Sequence, residues 1–242
     1  AVQLVNTVSD YALQIGSQVT IHALNISGSK NGIRITGSNN TISNCFFGIN
    51  LTGSDTIGGF ANQFTTVSGD NTSSYNTIEG NLFAGRKDIN GVAGLLLNGG
   101  RGHLVRGNIF GSDKNGELDL GFKNSSVVID ARAYSFGDGT YSGRNVVVNN
   151  GSSGTTVYLG GDSVRVLGNF IGLWKDGVTS KFNGSGVSVV GSFAQIGNGS
   201  APGRNVIGNC ANAALVVQGS YGRVIGNYIG TDSTGIVAHA NT

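Results

Sequence analysis

The stretch GRNVIGNCANAALVVQGSYGRVIGNYIGTDSTG, residues 203–235, carries the signal from which the architecture can be read. It holds Val206-Ile207-Gly208-Asn209 and then a second copy, Val224-Ile225-Gly226-Asn227. Between them a short apolar run, Ala213 to Val217, ends at Gln218-Gly219-Ser220. β-branched residues favour a pleated strand, and Gly, Asn and Ser favour the corner that ends it. Strand, corner and new strand in such quick succession describe one coil of a structure that keeps coiling.

The phrase recurs upstream. VIGNYIGTDSTG (224–235) matches VLGNFIGLWKDG (166–177), which in turn matches VRGNIFGSDKNG (105–116). GRNVIGNC (203–210) matches GRNVVVNN (143–150), and SGVSVVGSFAQIGNG (185–199) matches SSVVIDARAYSFGDG (125–139). Fainter copies stand at Ile78-Glu79-Gly80-Asn81 and Ile42-Ser43-Asn44. A period of about 60 residues that splits into half-units marks a solenoid, in which each unit packs on its neighbours. Earlier strands are expected at Val2–Val5, Ala12–Ile15 and Val19–Ile26. Polar breaks at 53–76, 84–92 and 173–184 read as loops or lateral excursions from a corner. No segment sustains the 3.6-residue apolar period of a helix.

Composition agrees. The 242 residues include 42 glycines and one proline, and charged residues make up 12%. Glycine and asparagine are poor helix formers, and 38% apolar content with little charge argues against disorder. The formal charge is +2 with no basic stripe, which excludes a nucleic-acid footprint. No apolar run approaches the roughly 20 residues of a membrane span. The reading is one all-β domain, 1–242: a parallel β-helix of roughly eight turns, on the order of 40 Å long at about 4.8 Å per turn. Neither AVQLVNTVSDYALQIG nor GIVAHANT reads as a cap, so the ends are expected to be open, joined to flanking repeats of a longer chain or to another copy. Eight Asn-x-Ser/Thr sequons are present, at Asn25, Asn39, Asn50, Asn71, Asn124, Asn150, Asn183 and Asn198; in so Asn- and Ser-rich a chain they carry little information.

The repeat also sorts the faces. Ile42, Ile78, Val105, Val166 and Val224 precede the corners and should point inward; Ser43, Glu79, Arg106, Leu167 and Ile225 follow and should point outward. Cys45, Leu82, Ile109, Phe170, Cys210 and Tyr228 read as a second inward stack. Cys45 and Cys210 would then lie on the order of 27 Å apart, too far for a disulfide, and are expected to be buried packing thiols.

The phrases GNYIGTDSTG, IGNGSAPGRNVIGN and SGVSVVGS resemble the repeats of large secreted bacterial right-handed parallel β-helix proteins, fold relatives of the pectate lyases. The resemblance covers about 94–235. It implies a right-handed helix and an extracellular or cell-surface location. It does not imply one activity, because this fold hosts lyases, hydrolases, tailspikes, adhesins and inert stalks.

Three constellations are candidates for chemistry. Glu79, His103 and Arg106 could share an outer face and imitate the carboxylate and basic residue with which a lyase removes a sugar proton, while Glu79 with Arg106 alone would be a cross-strand ion pair. Asp113, Asn115, Glu117 and Asp119 cluster oxygen ligands of the kind that suit calcium, although the equivalent corners TDSTG and LWKDG do not repeat the pattern. Tyr134, Tyr141, Tyr158, Trp174 and Tyr221 could stack on sugar rings, and Trp174, in a polar corner, is the best placed. The Asp-Asp, Gly-His-Gly, Arg-x-Lys and Arg-x-x-Arg signatures of galacturonases and pectate lyases are absent, so no catalytic residue is carried over. The function expected is a non-enzymatic extracellular solenoid: a stalk, an adhesin segment or an end-to-end filament subunit, with no cofactor unless calcium. The alternative is a polysaccharide-binding or -cleaving domain, lyase or glycoside hydrolase, with polysaccharide as its partner.

Overall fold

A computed structural model of the chain describes residues 2–5 (backbone only), 11–28, 31–55, 67–85, 94–151 and 155–242. Among them there is no helix. The chain winds as a right-handed parallel β-helix with three sheets of nine, eight and eight strands, every neighbouring pair parallel. Each coil visits sheet 1, sheet 2 and sheet 3 in turn. The coil within the opening stretch does so through Val206–Ile207, Leu215–Gln218 and Arg223–Val224 before Tyr228–Ile229 returns to sheet 1. The expected early strands are present, with one refinement. The run 19–26 breaks into Thr20–His22 on sheet 3 and Leu24–Ser27 on sheet 1, because Ala23 turns at φ 56°.

The register gives the sequence period its meaning. Phe46, Leu82, Ile109, Val146, Phe170, Val206 and Tyr228 are successive partners on sheet 1. The intervals between coils run 36, 27, 37, 24, 36 and 22 along the chain. Long and short coils alternate, so one period is two coils. The extra length includes a lateral hairpin at the corner from sheet 1 to sheet 2. Its turns are closed by Gly53 N–H to the Asn50 carbonyl (3.0 Å), Gly116 to Asp113 (3.2 Å), Gly177 to Trp174 (2.8 Å) and Gly235 to Asp232 (3.1 Å). All four glycines have φ between 67° and 81°, a conformation that an L side chain occupies only at a cost. The later two long coils add a second loop, 138–144 and 198–204, at the corner from sheet 3 to sheet 1; each is closed by a glycine N–H on a hydroxyl, Gly143 on Thr140 and Gly203 on Ser200.

The two VIGN copies are not successive turns of one face. Val206-Ile207 lies on sheet 1, paired with Phe170-Ile171, whereas Val224 lies on sheet 3, paired with Ile196. The longer-range matches do superpose two coils apart, as Val105, Phe136 and Val166 show on sheet 3. The short echo joins two chemically similar corners.

The inward slots hold as expected. Ile42, Ile78, Val105 and Val166 are buried in the main core, while Val224, in the last described coil, is 49% exposed. Inside sheet 1, Phe47, Phe83 and Phe110 stack with centroids 4.9 and 4.6 Å apart and rings within 6° of parallel. The expected second inward stack is a correction. Leu82, Ile109 and Phe170 point away from the main core and are covered from outside, Phe170 by Leu173 and Trp174 of a hairpin, Leu82 by Ile49 and Ala84. The hairpins are lids that turn an outer face into a second, smaller core.

Candidate functional site

Two corners carry columns of inward side chains, many of them buried and polar. Where no loop intervenes, the chain turns from sheet 3 to sheet 1 through one left-handed residue: Ala23, Asn44, Gly80, Gly107, Gly168 and Gly226. The residue entering sheet 1 points inward, and from the third described coil on it is always asparagine: Asn81, Asn108, Asn145, Asn169, Asn205 and Asn227. The Nδ2 of each of the first five donates to the Oδ1 of the next, at 2.8–3.1 Å, and that of all six to a carbonyl of the coil before, such as Ile78 O from Asn108 and Phe136 O from Asn169 (both 2.8 Å). Each Oδ1 also accepts the backbone N–H of the preceding member, beginning with Cys45 (2.9 Å). Backbone groups that a sharp corner would leave unpaired inside the protein are thereby satisfied. The repeated phrase Gly-Arg-Asn serves the same corner. Arg144 and Arg204 donate through Nε to Gly168 O (2.7 Å) and Gly226 O (3.0 Å), and lie 3.8 and 3.9 Å over the rings of Phe170 and Tyr228.

The corner from sheet 2 to sheet 3 is built alike but filled differently. Its left-handed residues are Gln18, Asn39, Tyr75, Gly102, Ala133, Ser163, Phe193 and Tyr221, with φ between 50° and 68°. The residues that follow them are Val19, Asn40, Asn76, His103, Tyr134, Val164, Ala194 and Gly222.

The candidate catalytic trio is divided between these two corners. Glu79 and Arg106 are register partners on the outside of sheet 3, joined at 2.8 and 2.9 Å. Asp138, which the sequence does not single out, closes the network on the other side of Arg106 at 3.0 Å. Glu79 and Arg106 border an open recess of ≈ 250 Å³ with Asn44, Gly80, Gly107 and Ser142. His103 is not with them. It is 1% exposed, accepts the Asn76 N–H at Nδ1 (3.3 Å), and sits 3.4 Å through Nε2 from Gly99 O. Its expected place on the outer face is corrected: Gly102 turns left-handed immediately before it and rotates the side chain into the interior column. Burial holds the His103 imidazole below its ordinary range, partly opposed by the Gly99 and Ser73 carbonyls. Glu79 and Asp138 push the Arg106 guanidinium further up, so it holds its proton. Burial alone would raise the Asp138 carboxyl, but Thr140 and Arg106 bring it below the usual carboxylate range. Neither Arg106 nor Asp138 is poised to exchange a proton near neutral pH. What the arrangement does is hold two coils and a corner loop together.

In the acidic cluster, Asp113 is 1% exposed and its oxygens are taken by the backbone N–H groups of Glu117 (2.7 Å), Leu118 (2.8 Å) and Asn115 (3.2 Å). Burial alone would raise the Asp113 carboxyl, but these amides and the Ser112 hydroxyl bring it below the usual carboxylate range. Asp232 caps the equivalent turn in the same way, accepting Thr234 Oγ1 at 2.7 Å. Asn115, Glu117 and Asp119 are exposed on the hairpin, and among the described residues no group of three His, Cys, Asp or Glu side chains converges as metal ligands would.

Trp174 is corrected too. Its indole is 5% exposed and lies where a Cβ on Gly116 would come within 2.3 Å, packed into the hairpin lid rather than offered to solvent. Both cysteines are free and buried, as expected, but in different columns: Cys45 heads the asparagine column, and Cys210 bridges to Asn183 at the corner from sheet 1 to sheet 2. Burial pushes the Cys210 thiol up to about 12. Three of the sequon asparagines, Asn25, Asn150 and Asn183, are fully buried. Compared with protein families, with curated proteins and with solved structures, the chain matches none. No helix of the described residues is long and apolar enough to cross a membrane.

Proposed function

We propose that the chain is a non-enzymatic extracellular structural or adhesive β-solenoid of the pectate-lyase-like kind: a stalk, surface fibre or end-to-end filament subunit. The observation that carries this reading is the unbroken asparagine column from Asn81 to Asn227, in which coil after coil makes the same axial contacts. Interchangeable coils add length and stiffness without adding new chemistry, and stability then accumulates through nearest-neighbour interfaces. The hairpin lids extend the axial regularity to the outside: Lys114 N–H donates to Gly53 O (2.9 Å) and Ser233 N–H to Gly177 O (2.8 Å), each across two coils.

The test is negative-stain electron microscopy across a concentration series, run beside incubation with acidic glycans with and without calcium. The reading predicts rods of one width that lengthen with concentration and no glycan breakdown. Short particles at every concentration that release glycan fragments would overturn it.

A further inference from the structure

The left-handed column at the corner from sheet 2 to sheet 3 holds the least expected residues in the molecule. A bulky aromatic side chain at positive φ is disfavoured, and at this corner five of the other coils use Gln, Asn, Gly, Ala or Ser, with Tyr75 the remaining aromatic. Yet Phe193 and Tyr221 both stand at φ 61°, 59% and 76% exposed, where they bury little apolar surface for the core. Their rings stack face to face, 5.1 Å between centroids and 11° from parallel. On the side away from Tyr221, Phe193 borders a recess of ≈ 290 Å³ lined by Ala133, Ser163, Ser135, Arg165 and Gln195.

The recess exists because the column changes size. Tyr75 lies over the next coil, where a Cβ on Gly102 would meet its ring at 2.4 Å. Phe193 then follows only after Ala133 and Ser163. The Phe193–Tyr221 spacing shows that this column takes one ring per coil, so the small side chains of Ala133 and Ser163 leave two ring positions open between Tyr75 and Phe193. Arg165 and Gln195 share a row of sheet 3 with Ser135, and among the described residues the Arg165 guanidinium has no carboxylate partner.

We propose that this notch binds one or two pyranose units of an acidic polysaccharide, with the sugar's flat C–H face on Phe193 and its carboxylate or sulfate on Arg165. An apolar platform with a few polar groups at its rim suits a ring that is apolar on its face and hydroxylated at its edge. A single-stranded nucleic acid would also stack, but its backbone calls for several cations along the track, and Asp130 and Asp162 line the neighbouring recess. The proposal goes beyond the rod reading and does not depend on it, since the notch is complete within residues 102–195.

The test is isothermal titration with alginate hexasaccharide, a uronic-acid polymer, against neutral cellohexaose and a thymidine hexanucleotide. The wild-type chain is expected to bind the uronate and prefer it to both controls. Phe193→Asn keeps a residue at home in this backbone, as Asn39 is in the same column, and should weaken binding by about tenfold while leaving the melting temperature unchanged or raised. Ser163→Phe, which extends the aromatic stack into the notch, should abolish binding. Arg165→Gln should remove the preference for the charged sugar. Absence of wild-type binding, uronate affinity that survives both Phe193→Asn and Ser163→Phe, or preference for the hexanucleotide overturns the proposal.

Discussion

The two tight corners of this helix solve one problem in two ways. Where no loop intervenes, both turn the chain through a left-handed residue and then send the next side chain inward. At the corner from sheet 3 to sheet 1 that inward residue is asparagine in six consecutive coils. At the corner from sheet 2 to sheet 3 it runs Val19, Asn40, Asn76, His103, Tyr134, Val164, Ala194 and Gly222, polar only in the middle coils. Tyr134 reaches across its own corner, its single hydroxyl proton placed between Gly160 O (3.1 Å) and Ile129 O (3.3 Å). Interior satisfaction is thus obligatory, whereas the asparagine column is one means to it. The left-handed residues differ as well: the uniform corner places glycine there in four coils, and the mixed corner places Tyr75, Phe193 and Tyr221. The corner with the uniform interior carries the axial continuity of the rod, and the corner with varied residues is where recognition can be added.

The greatest loss is expected from interrupting the uniform column at its middle. Asn169→Ala removes the acceptor of Asn145 N and Nδ2 and the donor to Phe136 O and Asn205, all buried. With each abandoned buried group costing about 1–3 kcal/mol, denaturant unfolding should show a loss of about 4 kcal/mol. A loss below about 1 kcal/mol would mean that water or relaxation replaces the column.

The mixed column should show a pH dependence that the uniform one lacks. His103 titrates lower when folded than when unfolded, so its contribution is fully present above the unfolded value near 6.5 and is lost as pH falls through the folded value. Stability should therefore decline on acidification below about pH 6.5. His103→Asn, restoring the residue found at Asn40 and Asn76, should flatten that decline in a series of melts. An unchanged slope would assign it to other groups.

Backbone strain gives a smaller effect. Ala133 holds φ 50°, and Ala133→Gly relieves a left-handed penalty of about 1 kcal/mol, so the melting temperature should rise slightly. No rise would show that the corner is relaxed as it stands.

The least effect belongs to the outer network. Glu79 and Arg106 side chains are 32% and 41% exposed, so Glu79→Gln should cost under about 1 kcal/mol and less still in high salt. A cost above about 2 kcal/mol would mean that the trio does more than fasten neighbouring coils.

Much of this is legible in the sequence. Short β-branched runs ended by Gly-Asn specify a parallel solenoid, and the long-range matches, such as 105–116 with 166–177, mark structurally equivalent sites. What misleads is the identity of the asparagines. In Ser43-Asn44-Cys45, Asn44 takes the left-handed place that Gly80 takes later, so Cys45, not Asn44, stands in register with Asn81. A residue type able to fill either slot leaves the register ambiguous by one, and one step exchanges inside for outside. His103 is hidden for the same reason, since Gly102 before it looks like any loop glycine. Trp174 is hidden because a polar corner can fold back as a lid, which depends on contacts two coils away. Phe193 and Tyr221 follow the same Gly-Ser pair, at 191–192 and 219–220, a signal visible only once the corner is known.

Native-state hydrogen exchange at the backbone amides of Cys45, Asn81, Asn108, Asn145 and Asn169 bears on the column without altering it. Each of these amides donates to the asparagine Oδ1 of the next coil rather than to a sheet carbonyl. If the column is what holds the rod together, these corner amides exchange as slowly as those of the sheets, only when the whole structure opens. If they exchange orders of magnitude faster than the sheet amides, the column is an ornament on a rod held by its sheets alone.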